Sequence, residues 1–183
     1  MEQNNNSQYK EEILSRESDI HFNLIGGFCC GADDPLNIFL SDDAFDYADQ
    51  KQGNTYLLMD AERTDILAFY TIKANAIHTY DSNTREYVAL PVIEIARIAV
   101  SYPLQGLGLG KILFYDYILP KIKAVADIIA VYGIIVFAEE DNQNGIKFYS
   151  SLGFKKANDE TQHAIGDSYN EKCQLYVLGL DQT

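Results

Sequence analysis

The sequence predicts an α/β or α+β fold, a β-sheet with helices on its faces. Short apolar, β-branched runs recur at residues 55–59, 66–72, 92–100 and 134–137, and helical spacing of apolar residues recurs between them. A glycine turn, residues 105–110, joins the run 92–100 to an amphipathic helical stretch that starts at Lys111. At 183 residues with 47% hydrophobic content the chain can bury one sizeable core and is short for two. A single domain over residues 18–183 is therefore expected, preceded by a polar arm over residues 1–17.

In chain order, residues 1–17 are charged and show no hydrophobic stripe, so they read as a disordered arm or a frayed first helix. Residues 20–25 read as a first strand. Asp34-Pro35 is a helix start, an Asp able to cap orphan N–H groups followed by a Pro that the first helical position tolerates. Leu36, Phe39, Leu40, Ala44 and Tyr47 follow at helical spacing, and the helix should end near Gly53. Residues 55–59 and 66–72 are strands joined by the charged turn 60–65. The polar stretch 75–87 reads as an irregular surface excursion.

Residues 92–100 form the clearest strand. Beyond the glycine turn, Ile112, Leu113, Tyr115, Tyr117, Ile118, Ile122 and Val125 predict a long helix that Pro120 must kink or break. Gly133 precedes a strand at 134–137, and residues 142–152 form a helix closed by Gly153. Phe154 opens a last hairpin whose far strand is 174–178, with a long polar loop over 157–172.

Fourteen basic against twenty-seven acidic side chains give a net charge of −13, which repels polyanions and attracts cations. Nucleic acid is accordingly disfavoured as a partner, since the longest basic cluster is Lys155-Lys156 and tight binding needs several cations on phosphates. The longest apolar runs fall short of a membrane span and the polar start is unlike a secretion signal, so a cytoplasmic protein without membrane attachment is expected. Cys29, Cys30 and Cys173 are odd in number and lie in no C-x-x-C pattern with a nearby His. Reduced thiols and no metal site are expected.

The glycine turn carries the chemistry. Gln105, Gly106, Leu107, Gly108, Leu109 and Gly110 let the backbone approach a ligand without Cβ atoms in the way, and the unpaired N–H groups of the following helical turn favour anions such as a diphosphate. The spacing is not that of a dinucleotide fingerprint, and Lys111 is not followed by the Ser or Thr of a Walker loop. A second segment, Asn142 to Phe154, follows the next strand.

Together these segments resemble the GNAT superfamily of acetyl-CoA-dependent N-acetyltransferases: residues 105–110 match Q-x-x-G-x-G and residues 142–154 match N-x-x-(A/G)-x-x-x-Y-x-x-x-G-F. The resemblance implies a mixed sheet with helices on both faces, splayed between two parallel central strands, here 92–100 and 134–137. It implies that the pantetheine arm of acetyl-CoA pairs with the backbone of Ile98 and Val100. The pyrophosphate would rest on the N–H groups of Gln105 through Lys111, where Lys111 adds a charge or is simply a solvated lysine. A backbone N–H at Ile98 or Ala99 would polarise the thioester carbonyl. Asn142 would lie near the pantetheine, or serve only as a helix N-cap.

By the same resemblance Tyr149 is the general acid for the departing thiolate. Glu94, six positions before Val100, matches the glutamate base of the histone-acetylating branch, or is an edge charge paired with Arg97 or Lys73. A narrower resemblance, Phe28-Cys29-Cys30-Gly31 followed by Leu36-Asn37-Ile38-Phe39-Leu40 and Ala44, is to a bacterial subgroup with the pattern F-x-C-G, L-(D/N)-x-F-L. Some of its members are toxins that acetylate the amino group of aminoacyl-tRNA.

Since those toxins carry basic surfaces, the net charge here favours a small-molecule or peptide amine as acceptor, with Asp33, Asp34, Asp42 and Asp43 as a candidate acidic acceptor surface. The expectation is an N-acetyltransferase acting by direct attack, monomeric or homodimeric. A toxin-like enzyme acting on aminoacyl-tRNA and a non-catalytic acyl-CoA sensor are the alternatives.

Overall fold

The computed structural model describes residues 8–32, 34–158, 161 and 172–180. Its strands are β1 (Tyr9–Ile13), β2 (Asn54–Asp60), β3 (Ile66–Asp81), β4 (Glu86–Val100), β5 (Gly133–Glu139), β6 (Lys155–Lys156) and β7 (Cys173–Gly179). They hydrogen-bond in the order β1-β2-β3-β4-β5-β7-β6. β4 and β5 run parallel, while β1–β2, β2–β3, β5–β7 and β6–β7 are antiparallel. The expected mixed sheet is therefore present. The helices are α1 (Asp19–Ile25), α2 (Pro35–Ile38), α3 (Ala44–Asp49), α4 (Leu109–Ile112), α5 (Leu119–Ala126) and α6 (Gln143–Ser151).

By its contacts the chain divides into two compact units, the first made of residues 1–72 and 97–120 and the second of residues 73–96 and 121–183. The core of the first unit gathers Phe28, Phe39, Leu40, Ala44, Phe45, Leu57, Phe69 and Ala99. Phe28 meets Phe69 edge-on at 5.2 Å, and the Arg97 guanidinium lies 3.7 Å over the Phe39 ring. In the second unit Ile77, Val92, Ile135 and Leu175 form a smaller cluster. Gly133 is glycine for a steric reason: a Cβ there would lie 2.6 Å from the Leu178 carbonyl across the β5–β7 ladder.

Three local expectations differ from the structure. Residues 9–13, read as part of a disordered arm or a frayed first helix, are a strand paired with β2 from Tyr9↔Asp60 to Ile13↔Tyr56. The polar strand is held by distant partners: Glu11 accepts from the Tyr70 hydroxyl, and Glu12 pairs with His21 Nε2 at 2.9 Å and accepts from Arg63 Nη2 at 2.6 Å. Residues 20–25, read as a strand, lie in α1, because the Ser18 hydroxyl caps the His21 N–H and the capped turn outweighs the β-branched Ile20 and Ile25. Residues 75–87, read as irregular, are the ends of β3 and β4 and their connecting turn.

Several other local expectations match the structure. Asp34 caps α2 through Leu36 N–H at 2.9 Å, and a wider π-helical turn, Phe39–Asp43, joins α2 to α3. Asp60 closes the 60–65 turn by accepting from the Thr64 and Asp65 N–H groups. Pro120 has no N–H for a fourth-neighbour bond, and the helix absorbs it by widening just before it, over Leu113–Ile118, where Leu119 N–H reaches Phe114 O. Most of the loop expected at 157–172 lies outside the described residues. Cys29, Cys30 and Cys173 are free thiols.

Candidate functional site

In the first unit β4 runs into the glycine turn through a short 3₁₀ turn, Tyr102–Leu104. Gly106 (φ 75°) and Gly108 (φ 91°) adopt the left-handed backbone that side chains disfavour, and a Cβ on either would meet nothing within 4 Å. The conformation demands glycine here, and the space above both residues is open. Gln105 N–H donates to Tyr102 O (3.3 Å) and Lys111 N–H to Gly108 O (3.0 Å). Among the described residues no acceptor engages the amides of Gly106, Leu107, Gly108, Leu109 and Gly110. Five successive donors ahead of a helix suit a diphosphate. The buried Leu109 side chain anchors the run, and Lys111 is exposed.

Two members of the expected amide set are thus already committed within the turn, Gln105 and Lys111. Gln105 contributes through its side chain instead: its Nε2 donates to Cys30 O (2.6 Å) and to Val100 O (2.9 Å). Ile98 is half-buried and Ala99 buried in the core of this unit, as alternation along a strand requires.

In the second unit the parallel ladder of β4 with β5 covers three rows, Val92↔Gly133, Ile93↔Ile134 and Glu94↔Ile135. Both strands continue past it, β4 to Val100 and β5 to Glu139. Glu94 sits at the last paired row and is 1% exposed. Its Oε2 accepts from Asn75 Nδ2 (2.6 Å) and faces Lys73 Nζ (3.2 Å). Of the two ion-pair partners weighed for Glu94, Lys73 is the one in place, while Arg97 lies over the Phe39 and Tyr47 rings. Asn75 was not anticipated. Its signal is the alternation Asn75, Ile77, Thr79, legible once residues 73–81 are read as strand.

Tyr149 lies on α6, its ring half-buried between Phe148 and Phe154 at 5.5 and 5.8 Å. Burial pushes its hydroxyl up to about 12, so the phenol keeps its proton at neutral pH. The Asn142 carboxamide oxygen caps α6 by accepting from Gly145 N–H at 2.8 Å. A Cβ at Gly145 would lie 2.8 Å from that carboxamide, so the cap in this geometry favours glycine there. Of the acidic residues near the first helix, Asp34 is spent on its cap and Asp42 accepts from the Ser41 hydroxyl at 2.6 Å. Asp33 lies outside the described residues. Among the described residues no group of three or more His, Cys, Asp or Glu side chains is placed to hold a metal ion, and no helix is long and apolar enough to cross a membrane.

Solved structures with this fold include the toxin AtaT complexed with acetyl-methionyl-tRNAfMet, which is 21% identical, with 95% of this chain and 96% of that one covered at a TM-score of 0.72. An AtaT mutant bound to the C-terminus of the antitoxin AtaR and acetyl-CoA is 22% identical over 93% of each chain, TM-score 0.70. A chain of the KacTA–DNA complex is 22% identical over 93% of each, TM-score 0.67. The model of the acetyltransferase (GNAT) family matches residues 30–154, and the chain belongs to that family.

Proposed function

We propose that this GNAT acetyltransferase moves the acetyl group of acetyl-CoA onto the amino group of an aminoacyl-tRNA. The observation that carries the donor half is the run of five open amides from Gly106 to Gly110, neutral donors of the kind that phosphate oxygens accept from. The acceptor half is supported by the likeness to AtaT, solved with acetyl-methionyl-tRNAfMet, and by the Phe28–Gly31 and Leu36–Leu40 patterns. The net charge of −13 had argued against nucleic acid as a partner. That expectation is set aside, because chains of this fold are solved with tRNA and with DNA.

In the proposed reaction the amine nitrogen attacks the thioester carbonyl carbon, the C–N bond forms and the C–S bond breaks. The amine loses one proton and the departing thiolate gains one. Tyr149 is the proposed donor to sulfur: its phenol keeps its proton at neutral pH, and the departing thiolate is the base that takes it. Glu94 is the proposed acceptor of the amine proton. An α-amino group of pKa about 7.7–8.0 is partly neutral at pH 7, whereas a lysine-like amine near 10.4 is almost wholly protonated. The carboxylate therefore matters more for the second kind of acceptor.

A small or peptidic cationic amine is the second reading, and the acidic balance of the chain favours it. Free-thiol release with acetyl-CoA and a panel of aminoacyl-tRNA, lysine peptides, polyamines and aminoglycosides separates the two. Aminoacyl-tRNA should give the highest kcat/KM, falling steeply with added salt. Turnover with the small cations alone would establish the second reading. Coenzyme binding without turnover on any acceptor would leave an acyl-CoA sensor.

A further inference from the structure

The motif at Phe28–Gly31 and Asn37 takes no part in the proposed chemistry, yet it is bonded to the glycine turn. Asn37 Oδ1 accepts from Cys30 N–H at 2.9 Å and from the Cys30 thiol at 3.2 Å, while Asn37 Nδ2 donates to Gly31 O at 2.7 Å. On the other side of the same short segment, Tyr102 N–H donates to Cys29 O at 2.8 Å and Gln105 Nε2 donates to Cys30 O at 2.6 Å. The second Nε2 hydrogen of Gln105 goes to Val100 O at 2.9 Å. One carboxamide thus ties the end of β4, the Cys29–Gly31 turn and the first residue of the glycine turn together. A second carboxamide ties that turn to α2.

We propose that Gln105 and Asn37 are positioning residues for the coenzyme, which together hold the amides of Gly106–Gly110 in their receptive geometry. This rests on the reading that those amides take the diphosphate. The physical reason is that Gly106 and Gly108 have no side chains to pin them and meet nothing within 4 Å on their Cβ side. A glycine turn left to itself samples many conformations, so its amides converge on one ligand only if flanking groups fix both ends. Leu109, buried, fixes the far end. Gln105, braced on Cys30, fixes the near end. Cys30 serves as a thiol donor in this brace, since burial first and then Asp34 push its thiol up to about 12. Asp at position 37 would still accept from Cys30 N–H and could not donate to Gly31 O.

Titration of coenzyme A into the full chain tests this with Gln105→Ala, Asn37→Asp, the double variant and Gly108→Ala. Q105A should weaken coenzyme binding about tenfold and N37D about three- to tenfold, with the double variant less than multiplicative. KM for acetyl-CoA should rise in parallel while kcat at saturation stays within about twofold. The Gln105 side chain is on the surface, so Q105A keeps the test open if N37D fails to fold. Weakened binding in G108A with parental affinity in Q105A and N37D overturns this inference alone. Parental affinity in G108A overturns the diphosphate reading and this inference with it.

Discussion

The groups proposed for the coenzyme in the first unit are backbone amides, and those proposed for the chemistry in the second are side chains. In residues 97–120 the proposed groups are five amides, in a turn with two left-handed glycines and a glutamine bonded to Cys30. In residues 73–96 and 121–183 they are the Glu94 carboxylate, held on β4 by Lys73 and Asn75 from β3, and the Tyr149 phenol on α6. The charge is divided as unevenly: fifteen acids stand against six bases in the first unit, twelve against eight in the second. Amide dipoles cannot titrate, so the proposed anion site in the more acidic unit needs no cationic side chain whose charge neighbouring carboxylates would neutralise. The proposed proton donor is a side chain, Tyr149, whose pKa burial raises.

The largest expected effect is on the side-chain half. Tyr149→Phe should lower kcat about 10²-fold or more with coenzyme affinity nearly intact. An unchanged kcat would take the phenol out of the reaction. Because burial raises that phenol, the alkaline limb of the parent's pH–rate profile should lie above the pH 10 of an ordinary tyrosine. Glu94→Gln is expected to cut turnover at least tenfold with polyamines and much less with aminoacyl-tRNA, whose amine needs little deprotonation. Equal losses with both acceptors would assign Glu94 to the structure of the β3–β4 pair.

On the backbone half, Gly108→Ala should weaken coenzyme A about tenfold, since a φ of 91° costs an L-residue about 1–2 kcal/mol and the turn relaxes away from it. Its kcat at saturation should change little, the reverse of Tyr149→Phe. The smallest effect is away from both sites. Burial works against the charge of Glu12, but its bonds to His21 and Arg63 prevail and hold the carboxyl below its ordinary 4.5. The stability it contributes is present above that value and is lost as pH falls through the folded-state pKa. Glu12→Gln should therefore be less stable than the parent at neutral pH by urea unfolding, with the difference closing below pH 4.5.

The same contrast explains what could be read from residues alone. Gln105 to Gly110 stands out because glycines at that spacing between a β-branched run and a helix are a local conformational requirement. Asn142 and Gly145 are legible likewise, as a cap and the gap that accommodates it. Glu94 was visible as a carboxylate in an apolar strand, whereas its partner Asn75 lay in a stretch whose polarity concealed a strand. β1 went unread because its residues carry no apolar alternation. Its stability comes from Tyr70, His21 and Arg63, and two of these are more than fifty positions away.

By itself the sequence determined the strand–glycine turn–helix, the capped α2 and α6, the helix irregularity at Pro120 and the family, since each rests on neighbours within a few residues. Tertiary structure alone decided that β4 and β5 pair over only three rows, that Lys73 rather than Arg97 meets Glu94, and that Gln105 turns its side chain to Cys30. Those outcomes depend on which distant groups satisfy a buried carboxylate or carbonyl, and such partners are chosen by packing rather than by local spacing.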